Sequence, residues 1–322
     1  MKFRGLVKNV FGESHVNFLL QSAPSYMESE VAASRYVLIT GASTGIGAAC
    51  AIGCAARGMT VFAGVRTPAA GDALRAQAGA AIVPVQLDVT DGDSIEKAAE
   101  LVSRRVGEAG LFGLVNNAGI AIGSPLEFIP LKQLRRQLEV NVVGQIAVTQ
   151  AVLPLLRRAR GRIVNMGSIA GRGTIPMMGA YSASKHALEA LTDALRLELY
   201  PWGIEVSIIE PGAIDTPIWD KSMQVSMEIE SELPIEGRHL YKGAAERIRE
   251  GVGLAARRAI SSDAVAQAVL HALTAKRPKT RYLVGRDAKV RAIMLRWLPD
   301  RLHDWVLKKI LSLPKANPHF ES

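Results

Sequence analysis

The 322-residue sequence is poor in cysteine, in aromatic residues and in long apolar segments. Its two cysteines, Cys50 and Cys54, are too few for a disulfide framework, and their spacing fits one face of a helix. Because no other cysteine or nearby histidine completes a zinc site, we expect both thiols to be small buried residues in a reducing compartment. No run of about 18 apolar residues occurs, so no transmembrane helix is indicated.

The N-terminal residues 1–34 show no strong periodicity. They begin with basic residues but lack the continuous apolar segment of a secretory signal peptide. We expect them to form a short arm in front of the first strand, or the natural start to be Met27.

The net charge of +9 is concentrated near the C-terminus. Residues 276–309 contain eleven basic and three acidic side chains, which leaves a net charge of only +1 for the rest of the chain. A basic protein can bind nucleic acid or a membrane surface. The charge is confined to one segment and no nucleic-acid reading motif accompanies it, so we expect no nucleic-acid partner.

Short β-branched runs alternate with longer helical segments from Arg35 onward. This alternation predicts a parallel sheet covered on both faces, an α/β fold of the doubly wound Rossmann type. We expect one domain over 35–285 and a basic amphipathic helical extension over 286–322, broken into two helices at Pro299. The predicted strands are 35–40, 60–65, 81–89, 111–119, 162–168, 204–212 and 281–285. The first predicted helix follows the glycine-rich segment and ends near residue 58. The other predicted helices span 94–106, 132–158, 181–199, 243–256 and 262–275. We expect residues 213–240 to be irregular.

A glycine-rich turn follows the first predicted strand. Gly41, Gly45 and Gly47 lie between that strand and a helix, where glycine lets the backbone turn sharply and lets a pyrophosphate approach the helix N-terminus. The alternative is a tight turn with only a structural role. The position at the first strand-to-helix turn favours a dinucleotide site.

The ends of the next two strands bear on the choice of nucleotide. Arg66 follows the second strand, where an acidic residue would bind a ribose 2′-hydroxyl, and its guanidinium could bind a 2′-phosphate. The sequence therefore favours NADP(H) over NAD(H), although Arg66 could be a solvated loop residue. Asp88 ends the third strand and could accept a hydrogen bond from adenine or cap the following helix.

Three residues suggest proton-transfer chemistry. Tyr181 and Lys185 are separated by one helical turn, so their side chains lie on the same face, and a nearby ammonium favours the phenolate and lowers the tyrosine pKa. Ser168 ends a strand at the sheet edge where ligands bind. These groups suit hydride transfer to or from a carbonyl carbon, although each could be an ordinary surface or loop side chain.

Taken together, the motifs resemble those of the short-chain dehydrogenase/reductase family. The matching segments occur in family order over residues 35–285: TGASTGIG (40–47), Asp88, NNAG (116–119), Asn141, Ser168, YSASK (181–185) and EPGAIDTP (210–217). The segment VFAGVR and the long C-terminal extension resemble the hydroxysteroid and retinol dehydrogenase-like subgroup. We also expect a homodimer or homotetramer, located in the cytoplasm or peripherally on a membrane.

The resemblance implies a catalytic tetrad of Asn141, Ser168, Tyr181 and Lys185, in which Asn141 holds a water of a proton relay that reaches Lys185. Thr44 stands where many NADP-dependent members carry a basic residue. The implied cofactor contacts are Gly41, Ser43, Thr44, Gly45, Ile46, Gly47, Arg66, Asp88, Val89, Asn117, Ala118, Gly119, Tyr181, Lys185, Pro211, Gly212, Ile214 and Thr216; the implied substrate contacts are Ser168, Met178 and Tyr181.

The expected reaction is NAD(P)-dependent interconversion of an alcohol and a carbonyl group. Methionines and other apolar residues after Ser168 and over 218–227 suit an adaptable pocket for a lipophilic substrate, or they pack beneath a lid. The alternatives are a 3-oxoacyl thioester reductase and a non-catalytic NAD(P)-binding regulator. The C-terminal extension suits either a helix on anionic lipid, and hence peripheral membrane contact, or a helix packed over the cleft or a subunit surface.

Overall fold

The computed structural model describes residues 35–313, and its framework is a seven-stranded sheet. Every strand pair is parallel, in the order β3-β2-β1-β4-β5-β6-β7, which confirms the predicted doubly wound α/β fold and its single domain. The strands are β1 (Tyr36–Ile39), β2 (Thr60–Val65), β3 (Ile82–Gln86), β4 (Gly113–Asn116), β5 (Arg162–Met166), β6 (Glu205–Pro211) and β7 (Arg281–Val284).

Helices cover both faces of this sheet and continue beyond its last strand. They are α1 (Gly45–Ala55), α2 (Pro68–Ala78), α3 (Gly92–Val106), α4 (Leu131–Leu138), α5 (Gly144–Ala159), α6 (Gly179–Glu198), α7 (Ile218–Glu232), α8 (Ile235–Arg257), α9 (Ser262–Thr274), α10 (Arg286–Trp297) and α11 (Asp300–Ile310).

The core has one apolar layer on each face of the sheet. On one face Cys50 and Cys54 of α1 pack with Val269 of α9, and both thiols are free and buried, as predicted. On the other face Val102 of α3 packs with Val148 of α5. Strands covered on both sides must be apolar throughout, which explains the continuous β-branched runs in the sequence.

The strand order reverses between β1 and β4. The chain runs outward from β1 to β3 and then returns to the other side of β1, so the loops after β1 and β4 leave the sheet in opposite directions. In such sheets the crevice at the carboxyl ends of these strands is the usual ligand site. The fold thus places the glycine-rich turn at the position that the sequence predicts.

Two predictions of local structure are wrong. Residues 213–240 are mostly helical, because they contain α7 and the start of α8. Pro217 and Pro234, which indicate a break in the sequence pattern, stand immediately before these helices, where proline is tolerated because helix-terminal N–H groups have no intrahelical partner. Helix α2, which has proline at its first position, is absent from the sequence prediction.

The long helix predicted over 132–158 consists of α4, a π-helical turn at Glu139–Val143 and α5. Within the described residues, the stretch Leu131–Ala159 is long and apolar enough to cross a membrane by length and composition. Its α5 part packs against the sheet through Val152 and Leu156 in the second core layer, as a core helix of an α/β domain does.

The C-terminal extension forms two helices, as predicted. Helix α10 ends at Trp297, and Pro299 stands directly before α11. The division of the chain at residues 34 and 285 stays a prediction, and the predicted arm over 1–34 lies outside the described residues.

Candidate active site

The turn after β1 presents free backbone donors at the start of α1. Gly41 and Gly45 have positive φ angles of 63° and 57°, which side-chain-bearing residues rarely adopt. A Cβ atom at Gly41 would lie 2.8 Å from the Cα atom of Ala118. Thr44 precedes α1 without a side-chain cap among the described residues, so the first N–H groups of the helix are available to an anion.

Thr40 and Asn117 hold this turn against the end of β4. The Thr40 hydroxyl accepts hydrogen bonds from the backbone N–H groups of Asn117 and Ala118, at 3.0 and 2.9 Å. The Asn117 amide donates to the carbonyl oxygens of Thr40 and Gly41, at 3.0 Å each. Gly47 packs against the same turn, since a side chain there would overlap the Gly41 carbonyl. Thr40 is a positioning residue that the sequence reasoning missed.

Asp88 and Arg66 lie together at the ends of neighbouring strands. Burial alone would raise the pKa of Asp88, but hydrogen bonds from the backbone N–H and hydroxyl of Thr90 and the charge of Arg66 lower it below its usual value. The cap of α3 is Asp91, whose side chain accepts from the N–H of Asp93, so the alternative role of Asp88 as that cap is wrong. Asp88 therefore remains available as an acceptor.

A cavity of about 1720 Å³ opens along the carboxyl ends of the strands. It is large enough for a dinucleotide and a substrate together. Of the predicted cofactor and substrate residues, all but Gly47 line it. They are Gly41, Ser43, Thr44, Gly45, Ile46, Arg66, Asp88, Val89, Asn117, Ala118, Gly119, Ser168, Met178, Tyr181, Lys185, Pro211, Gly212, Ile214 and Thr216.

Asn141 is fully buried in the π-helical turn between α4 and α5. Its amide accepts from the N–H of Ile120 and donates to the Ile120 carbonyl, at 2.9 Å each, and it donates to the Ser184 hydroxyl at 3.0 Å. π-helical turns are rare and occur often at functional sites. Asn141 does not line the cavity but connects the loop after β4 to the helix that carries Tyr181 and Lys185.

Lys185 reaches from α6 to the end of β5. Its Nζ donates to the Met166 carbonyl oxygen at 2.7 Å, and the residue is only 4% exposed. Burial lowers the pKa of Lys185 to about 8, so the side chain is still mostly protonated at neutral pH. Nζ lies 5.9 Å from the centre of the Tyr181 ring, which confirms that the two side chains share one face.

The prediction that Lys185 lowers the pKa of Tyr181 is wrong. Burial raises the pKa of Tyr181, and a hydrogen bond with Ser168 lowers it only in part. Desolvation of the phenolate is thus the larger of the two effects. The Ser168 hydroxyl also accepts from the N–H of Ala170 at 3.1 Å. Tyr181 is therefore a protonated phenol at neutral pH.

Helix α10 contacts the loops on both sides of Tyr181. The Asp287 carboxylate accepts from the Ala213 N–H at 2.7 Å, and a side chain at Gly212 would overlap it. Arg291 donates to the Gly173 carbonyl oxygen at 3.0 Å. Ala288 and Ala292 pack against Ile169. The first helix of the extension thus packs at the cleft, and these contacts have no evident signal in the sequence.

Apolar side chains form part of the cavity wall. Ile218, Trp219 and Met178 line it, and the Trp219 indole donates to the Ile214 carbonyl oxygen at 2.7 Å. A second cavity of about 80 Å³ lies beyond Met178 and Trp219 and is also lined by Met177 and Met223. Met227 is exposed, so not every residue of the predicted apolar set faces the site.

The fold and the cavity define a class of protein: a Rossmann-type domain with a glycine-rich anion site next to a buried lysine and a half-buried tyrosine. No group of residues that could hold a metal ion occurs in residues 35–313. The donors at the start of α1, the glycine turn closed by Ala118 and the adjoining cavity fit a nicotinamide dinucleotide.

Comparison with known proteins identifies the family. The sequence model of the short chain dehydrogenase family matches residues 35–225. Retinol dehydrogenase 5 of Mus musculus is 38% identical over 298 residues, which cover 89% of this chain and 92% of that protein. The 17-beta-hydroxysteroid dehydrogenase type 6 of Bos taurus is 38% identical over 290 residues, which cover 87% of this chain and 89% of that protein.

A solved structure of a short chain dehydrogenase is also similar to this chain. A crystal structure of a short chain dehydrogenase from Burkholderia cenocepacia in complex with NADP has a TM-score of 0.64 to this chain and 28% sequence identity, covering 87% of this chain and 98% of that chain. The chain belongs to the short-chain dehydrogenase/reductase family, in its hydroxysteroid and retinol dehydrogenase-like subgroup. It is an NAD(P)-dependent oxidoreductase that acts on alcohol or carbonyl groups.

Proposed function

We propose that the protein interconverts a lipophilic alcohol and its ketone or aldehyde, with Tyr181 as the proton donor and acceptor. The observation that carries this proposal is that Tyr181 contacts Ser168 and Lys185 in the wall of the dinucleotide-sized cavity, which Met178 and Trp219 also line. A bound nicotinamide dinucleotide supplies the hydride. The protein's own residues hold the substrate oxygen and move its proton.

The proton chemistry follows from the protonation states of the site. Since Tyr181 is a phenol at neutral pH, it can give its proton to a carbonyl oxygen as that oxygen gains negative charge. The Ser168 hydroxyl, oriented by the N–H of Ala170, donates to the same oxygen. In the reverse direction Tyr181 must first lose its proton, which the Lys185 ammonium favours electrostatically.

Asn141 and Lys185 would supply the proton that Tyr181 regains after it has given its own to the substrate oxygen. The hydrogen bonds of Asn141 to Ile120 and Ser184 fix its amide below the tyrosine helix, where we expect it to hold the water of a relay that reaches Lys185. Because Asn141 is buried and held by three hydrogen bonds, its contribution rests on position rather than on contact with the substrate.

For the cofactor we propose NADP(H) in preference to NAD(H). Arg66 is exposed at the cavity wall beside Asp88, where a guanidinium can bind the 2′-phosphate of NADP in a bidentate manner. Asp88 and Val89 would line the adenine, and Asn117 to Gly119 the adjoining ribose. Pro211, Gly212, Ile214 and Thr216 would line the nicotinamide side. The similar Burkholderia cenocepacia structure contains NADP, which supports this choice.

The apolar wall around Met178 and Trp219 supports a lipophilic substrate. A turnover screen with NADPH and NADH against steroids, retinoids, 3-oxoacyl thioesters and simple alcohols tests the proposal. We expect turnover with a steroid or retinoid and a higher kcat/KM for NADPH. Turnover confined to acyl thioesters would favour the alternative reductase, and cofactor binding without turnover of any substrate would favour a regulator.

We also propose that the protein is cytoplasmic, with peripheral contact to a membrane, and that it forms a homodimer or homotetramer. Exposed apolar side chains support self-association, and Leu131, Val143 and Leu197 are examples. Light scattering after size-exclusion chromatography measures the oligomeric state, and a monomer at micromolar concentration would contradict that part.

A further inference from the structure

Within the described part of the chain, an arginine of the active-site cavity has no counterpart for its charge. Arg247 of α8 lines the cavity and is half-buried, and its Nε atom is buried without a hydrogen-bond partner. Its side chain forms no hydrogen bond or ion pair with any of residues 35–313. A guanidinium carries five N–H donors and a permanent charge, and burying them without an acceptor costs free energy. A ligand that supplies the acceptor would explain this arrangement.

Two neighbouring arginines, in contrast, are held by protein groups. Arg249, two residues further along α8, forms an ion pair with Glu230 of α7. Arg291 of α10 also has a buried Nε without a partner in the described residues, but its Nη2 donates to the Gly173 carbonyl oxygen at 3.0 Å. Packing therefore accounts for these two side chains, whereas no contact within residues 35–313 accounts for Arg247.

The part of the wall that contains Arg247 has an excess of positive charge. Over residues 211–312 the cavity lining has five basic and two acidic side chains, a net charge of +3; they are Lys221, Arg247, Arg258, Arg286 and Arg291, against Glu250 and Asp287. Asp287 already accepts the N–H of Ala213. Glu250 is exposed and forms no ion pair with Arg247. A cleft lined by one sign of charge attracts ligands of the opposite sign.

The position of Arg247 on α8 associates it with the apolar wall of the cavity. Ile248, the next residue, lines both the large and the small cavity, as Met178 and Trp219 do. Arg258 directly follows α8, and the segment after it pairs with the loop that we propose to line the nicotinamide. Because an α-helix rises about 1.5 Å per residue, Arg247 lies about 16 Å from Arg258 along the helix. Arg247 therefore borders the surroundings of the substrate rather than that loop.

We propose that Arg247 binds an anionic group of the substrate, and that the substrate is an apolar alcohol or ketone that also carries a carboxylate, sulfate or phosphate. This inference rests on the proposed function, because it refines the class of lipophilic substrate that reacts at Tyr181. The wall at Met178 and Trp219 contacts the apolar body of such a molecule. The guanidinium binds its charged end through charge-assisted hydrogen bonds, which a planar anion can accept in a bidentate manner.

Isothermal titration calorimetry of the NADP-loaded protein tests the anion site without turnover. Decanoate and decanol have the same apolar chain and differ in charge, and bound NADP already occupies the proposed phosphate site at the start of α1. We expect decanoate to bind the parent chain at least roughly tenfold more tightly than decanol, with a preference that falls as salt is added. Arg247→Gln should abolish this preference, and Arg247→Lys, which keeps the charge, should retain part of it.

Arg257→Gln is the matched control, because Arg257 is an exposed arginine of the same helix outside the cavity wall. It should leave the preference for decanoate unchanged. Equal binding of decanoate and decanol to the parent chain would overturn the proposal, and so would a preference that survives in Arg247→Gln. Weaker binding of both NADPH and NADH to Arg247→Gln would also overturn it, because the guanidinium would then serve the pyrophosphate of the cofactor.

Turnover distinguishes this inference from the proposed function. The keto acid 3-oxocholanate and its methyl ester are a matched pair of substrates, because they differ in the charge at one end. We expect kcat/KM to be roughly tenfold higher for the acid, and Arg247→Gln should remove the difference by raising KM for the acid with little change in kcat. Equal kcat/KM for acid and ester would overturn the anion site. Absence of turnover with every substrate of the screen would contradict the proposed function and leave Arg247-dependent binding of decanoate as a separate result.

Discussion

Arg172 forms a two-point ion pair with Glu210 behind the active site. Its Nη2 lies 2.7 Å from one carboxylate oxygen of Glu210 and its Nε lies 2.5 Å from the other. Arg172 follows Ser168 by four residues, and Glu210 precedes Pro211 in β6. The pair therefore ties the loop that orients the Ser168 hydroxyl to the end of β6, where the loop that we propose to line the nicotinamide begins.

Removal of Arg172 should destabilise the protein because Glu210 is fully buried. Within residues 35–313, Arg172→Ala leaves this carboxylate with Arg281 as its remaining ion-pair partner, whose Nε lies 3.7 Å from a carboxylate oxygen of Glu210. We expect the free energy of unfolding in urea to fall by about 3 kcal/mol. Adding Glu210→Gln to the same variant should recover part of the loss, because the buried charge is then gone. Arg105→Ala, an exposed arginine of α3, is the control, and an equal effect of that change would contradict the role of the pair.

The neighbouring Glu189 should make stability depend on pH. Burial and the charge of Glu210 raise the pKa of Glu189 to about 7, against the opposing effect of Arg281 and Arg172. Because the pKa is raised in the folded state, folding favours the protonated form, and stability falls as the pH rises through about 4.5 towards 7.

Glu189→Gln mimics the protonated form, so it should be more stable than the parent chain at pH 8, by up to about 3 kcal/mol, and should differ little at pH 5. Thermal unfolding at the two pH values measures this. Glu198→Gln, an exposed position on the same helix, is the control. A Glu189→Gln effect that is the same at both pH values would contradict a raised pKa.

Arg66 should determine the preference between the two dinucleotides. Arg66→Ala should weaken the binding of NADPH roughly tenfold through loss of charge-assisted hydrogen bonds to the 2′-phosphate, with little effect on NADH. Fluorescence titration of both cofactors measures the two dissociation constants. Arg75→Ala, an exposed arginine of α2 outside the cavity wall, should change neither. Equal weakening for NADPH and NADH would contradict the NADP preference.

Sequence reasoning predicts the parts of this structure that local patterns encode. Strands buried on both faces must be apolar, and the glycine turn needs residues without a Cβ, so both are visible in the sequence. The helices around Trp219 are not, because Pro217 and Pro234 indicate a break and α7 contributes only Ile229 as a buried residue. Contacts between distant segments, such as Asp287 with Ala213, also leave no local pattern.

The same limit applies to the chemistry of the site. The spacing of Tyr181 and Lys185 predicts that their side chains share a face, and the structure confirms it. The spacing does not predict that burial keeps the pKa of Tyr181 above its usual value, because desolvation depends on the loops that enclose the ring. The cavity lining joins residues from the ends of six strands, β1 to β6, and only the family resemblance relates them in the sequence.

We propose that Tyr181 handles the substrate proton in a site whose cofactor contacts do not depend on its hydroxyl. The most direct test compares Tyr181→Phe with the parent chain, by turnover of a substrate from the screen and by NADPH titration. We expect kcat to fall by at least roughly a thousandfold, while the NADPH dissociation constant changes by less than about threefold. A Tyr181→Phe variant that keeps near-parental kcat would contradict the account.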